Sequence, residues 1–80
     1  MEHVKAVAKR ISELLEETGY TQYKLFIKSG VPQATISTIL KAEIKTIKMS
    51  TILDICSGFG IELSDFFKPD YFHLSSIGSE

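Results

Sequence analysis

The chain has 80 residues, of which 44% are hydrophobic and 24% are charged, and its formal net charge is −1. This length allows one small domain, and the apolar content excludes a disordered chain. No apolar run approaches the roughly 18 residues of a membrane span, the N-terminus lacks the apolar core of an export signal, and a single cysteine cannot form an internal disulfide. We therefore expect a cytoplasmic protein. The near-neutral charge argues at first against a nucleic-acid partner.

The first third of the chain predicts two helices. Apolar residues recur at the spacing of an amphipathic helix at Val4, Val7, Ala8, Ile11, Leu14 and Leu15. Gly19 is a natural left-handed end for this helix. Thr21 offers a hydroxyl N-cap for a short second helix that runs to about Lys28.

The remainder predicts three further helices. Gly30 allows a tight turn, and a third helix follows from about Pro32 to Lys41. Residues 42–48 have no period and are interpreted as a connection. A fourth helix, which we expect Gly58 and Gly60 to close, has its apolar positions at Met49, Ile52, Leu53, Ile55, Cys56 and Phe59. Residues 61–67 predict a loop and a short fifth helix. Because no segment alternates with period two, the predicted fold is all-α with five helices.

The second and third helices, joined by a glycine-bearing turn, match the helix-turn-helix pattern. On a helical wheel, Ile36, Ile39 and Leu40 of the third helix point inward. The opposite face is small, polar and almost uncharged, and it consists of Gln33, Ala34, Ser37, Thr38 and Lys41. A face of this kind fits the major groove of double-stranded DNA and can hydrogen-bond base edges.

The distribution of charge along the chain supports this interpretation. Residues 21–48 carry +4, from five lysines and one glutamate. Residues 1–20 carry −1 and residues 49–80 carry −4. The neutral total therefore conceals a positive segment at the place that would face phosphates.

Two segments resemble the lambda-repressor-like, Xre-type helix-turn-helix family of phage and bacterial transcriptional regulators. The first is Thr21-Gln22-x-x-Leu25-x-x-x-Ser29-Gly30-Val31-Pro32-Gln33-Ala34-Thr35-Ile36-Ser37. The second is Ile55-Cys56-x-Gly58-x-Gly60-Ile61-x-Leu63-Ser64-x-Phe66-Phe67. The resemblance covers about residues 7–67. It implies a five-helix domain that places its third helix in the major groove, usually as a dimer on a two-fold site.

The resemblance also implies roles for particular residues. Base edges would be read by Gln33, Ala34, Ser37 and Thr38. Phosphates would be contacted by Thr21, Gln22, Lys24, Lys41 and Lys45. The sequence departs from the family pattern in three places. Phe26 stands where alanine is strongly preferred, and Ala42 and Glu43 replace the usual glycine and a frequent basic or polar residue after the third helix. Ile44 and Ile47 make the following connection more apolar than usual, and Ile47 stands where proline is common.

The C-terminal segment leaves two interpretations open. We expect a DNA-binding domain over residues 1–68 and a tail over residues 69–80, with residues 75–80 frayed. The tail and the residues before it hold too many apolar side chains for a purely solvated end. They either pack back on the domain or form a two-fold dimer seam. The candidate dimer residues are Phe67, Tyr71, Phe72 and Leu74.

No residue pattern in the chain predicts catalysis, a cofactor or a metal site. Cys56 lies at helical spacing among apolar residues and is interpreted as a small buried hydrophobe. His3 and His73 are far apart and have no companion ligands. The leading hypothesis is a non-enzymatic, sequence-specific DNA-binding regulator that acts as a homodimer. The alternative is a protein-interaction module, antitoxin-like or anti-repressor, that retains the fold.

Overall fold

The computed structural model describes residues 3–72, which contain helices, turns and connections and no strand. The elements are α1 (His3–Thr18), α2 (Gln22–Ser29), α3 (Gln33–Leu40), α4 (Met49–Phe59), α5 (Leu63–Phe66) and a 3₁₀ turn (Asp70–Phe72). This arrangement confirms the predicted all-α fold with five helices. Within these residues, no helix has the length and apolar character needed to cross a membrane.

The ends of α2 follow the local signals in the sequence. The Thr21 hydroxyl accepts a hydrogen bond from the backbone N–H of Lys24 at 3.0 Å, which satisfies one of the free donors of the first turn. At the other end Gly30 adopts a left-handed conformation with φ +78°, and its N–H bonds to the carbonyl of Phe26. This cap reverses the chain direction between α2 and α3.

One apolar core holds the helices together. α1 packs against α3 and α2 packs against α4. The largest fully buried side chains are Phe66, Ile11, Leu25, Ile36, Ile39 and Ile55. Among residues 3–72 no polar or charged residue is buried. Cys56 is 3% exposed, and burial raises the pKa of its thiol, as expected for a small hydrophobe rather than a reactive group.

Gly58 has a different role from the one predicted. It lies inside α4 and is buried, while Gly60 alone forms the left-handed cap with φ +72°. A Cβ atom placed on Gly58 would lie 2.7 Å from Ser29 Cβ and 3.1 Å from the Ser29 backbone. Glycine is therefore needed here because the backbones of α2 and α4 approach each other closely.

Helix α3 ends in a Schellman motif with alanine in the left-handed position. The N–H of Glu43 bonds to the carbonyl of Thr38, and the N–H of Ala42 bonds to the carbonyl of Ile39. Ala42 has φ +55°, and it is the one non-glycine residue with positive φ among residues 3–72. The departure from the family's glycine at this position therefore carries a steric cost, since Cβ crowds the following carbonyl in this conformation.

Replacing Ala42 by glycine is expected to raise the free energy of unfolding by about 0.5–1 kcal/mol. The steric relief outweighs the larger backbone entropy that glycine has in the unfolded chain. Urea denaturation followed by circular dichroism measures the change. Ala8→Gly, at a buried position in the middle of α1, is the control and should destabilise by about 1–2 kcal/mol, because it loses both helix propensity and a buried methyl. If both variants lower the stability equally, the positive φ carries no cost.

The start of the tail packs back on the domain. Tyr71 donates a hydrogen bond to the Glu13 carboxylate of α1, and the Nζ of Lys9 lies 4.7 Å from the centre of the Tyr71 ring. Burial and the adjacent Glu13 raise the pKa of Tyr71 well above its ordinary value, so the phenol stays a donor. Phe72 and Phe67 meet edge to face at 4.8 Å between centroids. Leu74 and the predicted frayed end lie outside the described residues.

Candidate nucleic-acid interface

The inner side of the helix-turn-helix is fixed by apolar anchors. Val31 in the turn is 5% exposed, and Ile36 and Ile39 of α3 are fully buried. The sequence predicted that Ile36 and Ile39 point inward, and their burial confirms it; Val31 joins them as a third anchor. Because two of them lie on one side of a two-turn helix, the orientation of α3 about its own axis is fixed.

The outer side of α3 carries the residues predicted to read bases. Gln33 and Ala34, in the first turn, are exposed. Ser37 and Thr38, one turn later, are half-buried, and Lys41 follows the last helical residue and is exposed. All five residues therefore have accessible side chains on a helix whose other side is in the core, although Leu40, predicted to point inward, is only half-buried.

The start of α2 presents a second group of predicted residues. Thr21 and Gln22 are exposed, at the cap and the first residue of the helix. Free backbone N–H groups and the helix dipole favour an anion at this position. The Thr21 hydroxyl still has a proton to donate, because in its cap bond it acts as the acceptor. The arrangement can hold a phosphate oxygen.

The side chains of two lysines lie over one tyrosine ring. The Nζ atoms of Lys24 and Lys28 lie 5.5 and 5.6 Å from the centre of the Tyr20 ring, at cation–π distance. Tyr20 is itself stacked on Phe59, with centroids 6.0 Å apart. The ring therefore holds two positive charges close together beside α2, where they can attract phosphates.

Tyr20 and Lys28 were not among the predicted site residues. The sequence held a signal for Lys28, which lies four residues after Lys24 on the same side of α2, but none for Tyr20, which precedes the extended N-cap residue Thr21 and lies outside the helix. Only Lys24 of the three was predicted. The sequence could not show that Phe59, from α4, would support the ring.

The connection from α3 to α4 alternates between inward and outward residues. Ile44 and Ile47 are half-buried and pack against the core, while Lys45 and Lys48 are exposed. The apolar character of this connection is therefore used in part for packing, while the half-buried isoleucines keep some surface exposed. The lysines between the isoleucines are left on the surface.

An open groove of about 500 Å³ lies between α3, this connection and the start of α4. It is lined by Thr35 and Ile39 of α3, residues 44–48 and Thr51. The lining includes two lysines and three threonines and no carboxylate. Ile39, Ile44 and Ile47 complete the lining, so the groove combines apolar side chains with positive and hydrogen-bonding groups along the flank of α3. Within the described part of the chain, no group of three or more His, Cys, Asp or Glu residues could hold a metal ion.

Comparison with known proteins agrees with this geometry. The family model of the Cro/C1-type HTH DNA-binding domain matches residues 10–70. Searches of curated proteins and of solved structures gave no match. The matched span contains α2, the turn, α3 and most of the core that supports them. The chain therefore belongs to the family of Cro/C1-type helix-turn-helix DNA-binding domains, in agreement with the resemblance noted in its sequence.

Proposed function

We propose that the chain is a sequence-specific transcriptional regulator that binds an operator with α3 in the major groove. The observation that carries the proposal is the outer side of α3, which is small, polar and uncharged up to Lys41 and is flanked by exposed lysines. Occupation of the operator, rather than chemistry on a substrate, would be the regulatory act, performed in the cytosol where the DNA lies.

In this proposal the residues of α3 contact bases, and those at the start of α2 contact a phosphate. Gln33, at the exposed start of α3, pairs with adenine through its one side-chain amide, whose NH2 donates and whose carbonyl oxygen accepts, and Ser37 contacts a base one turn on. Thr21 and Gln22 bind one phosphate at the start of α2. Lys24 provides positive charge beside it from the Tyr20 ring.

Lys41 and Lys45 contact the DNA backbone on the other side of α3. Lys45 lies in the groove described above. We propose that this groove follows the backbone of one DNA strand, with Lys48 as an additional contact. Phosphate contacts of this kind fix the position of the domain on DNA without reading sequence.

A homodimer on a two-fold operator completes the proposal. Phe67, Tyr71 and Phe72 pack on their own domain and each keeps part of its side chain exposed. They therefore offer an apolar surface held in a fixed position. Two copies joined by it would place two α3 helices in half-sites about 34–36 Å apart. Leu74, the fourth candidate, lies beyond the described residues.

The proposal is tested by selecting bound duplexes from a random DNA pool at low salt. We expect an enriched motif with two-fold symmetry. Binding of the enriched duplex should weaken with salt, with a log–log slope of about −0.9 for each phosphate contacted. If no motif is enriched, sequence-specific binding is contradicted. If a motif is enriched but has no two-fold symmetry, only the proposal of a homodimer is contradicted.

Gln33→Ala is expected to weaken binding of the selected duplex by about 1–3 kcal/mol and to relax preference at one base position. The reason is that a bidentate contact to one base is lost. Lys45→Ala is the matched control, because it removes a phosphate contact. It should weaken all duplexes alike and reduce the salt slope by about 0.9. Fluorescence anisotropy over a panel of single-base variants measures both effects. Identical behaviour of the two variants would show that Gln33 reads no base.

A protein-interaction module remains the second candidate function. The observation that favours it is the pair Tyr23 and Ile27, which are 58% and 60% exposed and lie one turn apart on α2. An exposed apolar pair of this kind suits contact with another protein. This candidate predicts affinity for a protein partner that is nearly independent of salt, in contrast to the steep dependence expected for DNA.

A further inference from the structure

The outer side of α3 divides into two columns of different chemistry. Gln33, Ser37 and Lys41 follow one another at intervals of four residues and carry hydrogen-bonding groups. Ala34 and Thr38 form a parallel column, also four residues apart. Residues at this interval lie one above the other on a helix. The sequence alone does not decide the chemistry of the second column, because threonine carries both a hydroxyl and a methyl group.

A hydrogen bond within α3 fixes the direction of the Thr38 hydroxyl. Its Oγ1 donates to the carbonyl oxygen of Ala34 at 2.8 Å. The hydroxyl proton is therefore used inside the helix and is not offered to a base. With Oγ1 turned back toward the preceding turn, the Cγ2 methyl is the other branch at Cβ and projects away from that carbonyl. Among the described residues, no such bond engages the Ser37 hydroxyl.

The column therefore presents two methyl groups, the Cβ of Ala34 and the Cγ2 of Thr38. Four residues of helix separate them by about 6.0 Å along the axis, which is between one and two base-pair steps of about 3.4 Å. In the major groove, the only apolar group on a base edge is the C5-methyl of thymine. A cytosine methylated at C5 carries the same group at the same place.

We propose that Ala34 and Thr38 select two C5-methylated pyrimidines within two base pairs of each other in the operator. This inference rests on the proposed function and deepens it, because it assigns the column to methyl contacts rather than to hydrogen bonds. It also makes binding responsive to C5 methylation of cytosine, since a methylated cytosine restores the apolar contact that a plain cytosine lacks.

The first arm of the test changes the DNA. In the duplex selected from the random pool, each thymine is replaced in turn by deoxyuridine, which removes the methyl and keeps every hydrogen-bonding group. We expect two positions in each half-site to lose about four-fold in affinity each, the worth of one buried methyl. At the same two positions, 5-methylcytosine should bind about four-fold more tightly than cytosine.

The second arm changes the protein. Thr38→Val keeps the methyl and removes the hydroxyl, so the variant should still distinguish thymine from deoxyuridine at both positions. Thr38→Ser keeps the hydroxyl and removes the methyl, so it should lose the distinction at one position and retain it at the other. Circular dichroism and thermal unfolding of both variants verify that α3 is folded.

The outcomes separate this inference from the proposed function. An enriched motif that binds equally well with deoxyuridine throughout would overturn the methyl column and leave sequence-specific binding intact. Loss of the distinction between thymine and deoxyuridine in Thr38→Val, with that distinction retained in Thr38→Ser, would also overturn it, since the hydroxyl would then be the reading group. Absence of any enriched motif would overturn both.

Discussion

Replacing Phe66 by alanine is expected to lower the free energy of unfolding by about 3–5 kcal/mol, the usual cost of deleting a buried aromatic ring. Phe66 is fully buried, and its ring meets those of Phe67 and Phe72 at centroid distances of 5.0 and 6.0 Å. It therefore joins α5 and the tail to the core. A domain of this size is stable by only about 4–12 kcal/mol, so the variant should be marginally folded.

The loss of stability should also affect α1, because a side chain of α1 binds the backbone carbonyls of α5. Arg10 Nε donates to the carbonyl of Phe66 at 2.8 Å, and Arg10 Nη2 donates to the carbonyl of Asp65 at 2.7 Å. A guanidinium at the end of a helix also stabilises the exposed carbonyls through their partial negative charge. When the Phe66 ring is removed, α5 loses the packing that keeps these carbonyls in place.

Guanidinium denaturation followed by circular dichroism measures the loss. Leu53→Ala is the matched control, since Leu53 is 48% exposed on α4 and its truncation should cost less than about 0.5 kcal/mol. Phe66→Leu, which keeps most of the apolar volume, should fall between the two. A loss below about 1 kcal/mol in Phe66→Ala would show that α5 is not part of the cooperative core.

Replacing Gly58 by valine is expected to cost about 3 kcal/mol and to weaken DNA binding through the position of α2. The first carbon added at Gly58 already lies 2.7 Å from Ser29 Cβ and 3.1 Å from Ser29 Cα and N. Because part of that contact is with backbone, a rotamer change cannot relieve it. Overpacking of this kind costs typically 1–3 kcal/mol, and the two further methyls of valine add to it.

The position of Gly58 explains why its replacement should also weaken DNA binding. Ser29 is the last residue of α2 and directly precedes the turn that orients α3. A displacement of α2 away from α4 would alter the angle between the proposed phosphate contacts of Thr21 and Gln22 and the proposed base contact of Gln33. We expect the Gly58→Ala variant to show the same effects at a smaller magnitude, since alanine favours the helix by up to about 1 kcal/mol relative to glycine.

Chemical denaturation and anisotropy titration with the selected duplex measure the two effects. Ser57→Ala is the control, because Ser57 is the exposed neighbour of Gly58 on α4. Gly58→Val with unchanged stability would show that the approach of α2 and α4 is easily widened. Reduced stability with unchanged DNA affinity would show that the position of α2 does not govern the reading of bases.

Much of the fold could be predicted because its signals are local. The apolar period of α1, the Thr21 cap and the glycine in the turn each depend on residues within a few positions of one another. The same holds for the outer side of α3, where Gln33 and Ala34 are exposed as their spacing from Ile36 predicts. Local patterns of this kind are sufficient to identify the helix-turn-helix and its candidate reading residues.

The features that could not be predicted all depend on residues distant in the chain. Gly58 was interpreted as part of a cap, because the sequence does not show that Ser29 approaches it. The support of Tyr20 by Phe59 was missed for the same reason. The 3₁₀ turn Asp70–Phe72 was also not predicted, since it forms where Tyr71 can reach Glu13.

The sequence by itself therefore determined the all-α class, the family and the face of α3 that is exposed to solvent. These properties follow from helical periodicity, caps and the separation of charge along the chain. The tertiary structure decided which small residues are sites of close packing, which apolar residues of the connection turn inward, and which lysines share one aromatic ring. The physical reason is that these contacts join elements whose separation in space is fixed only when the whole core has packed.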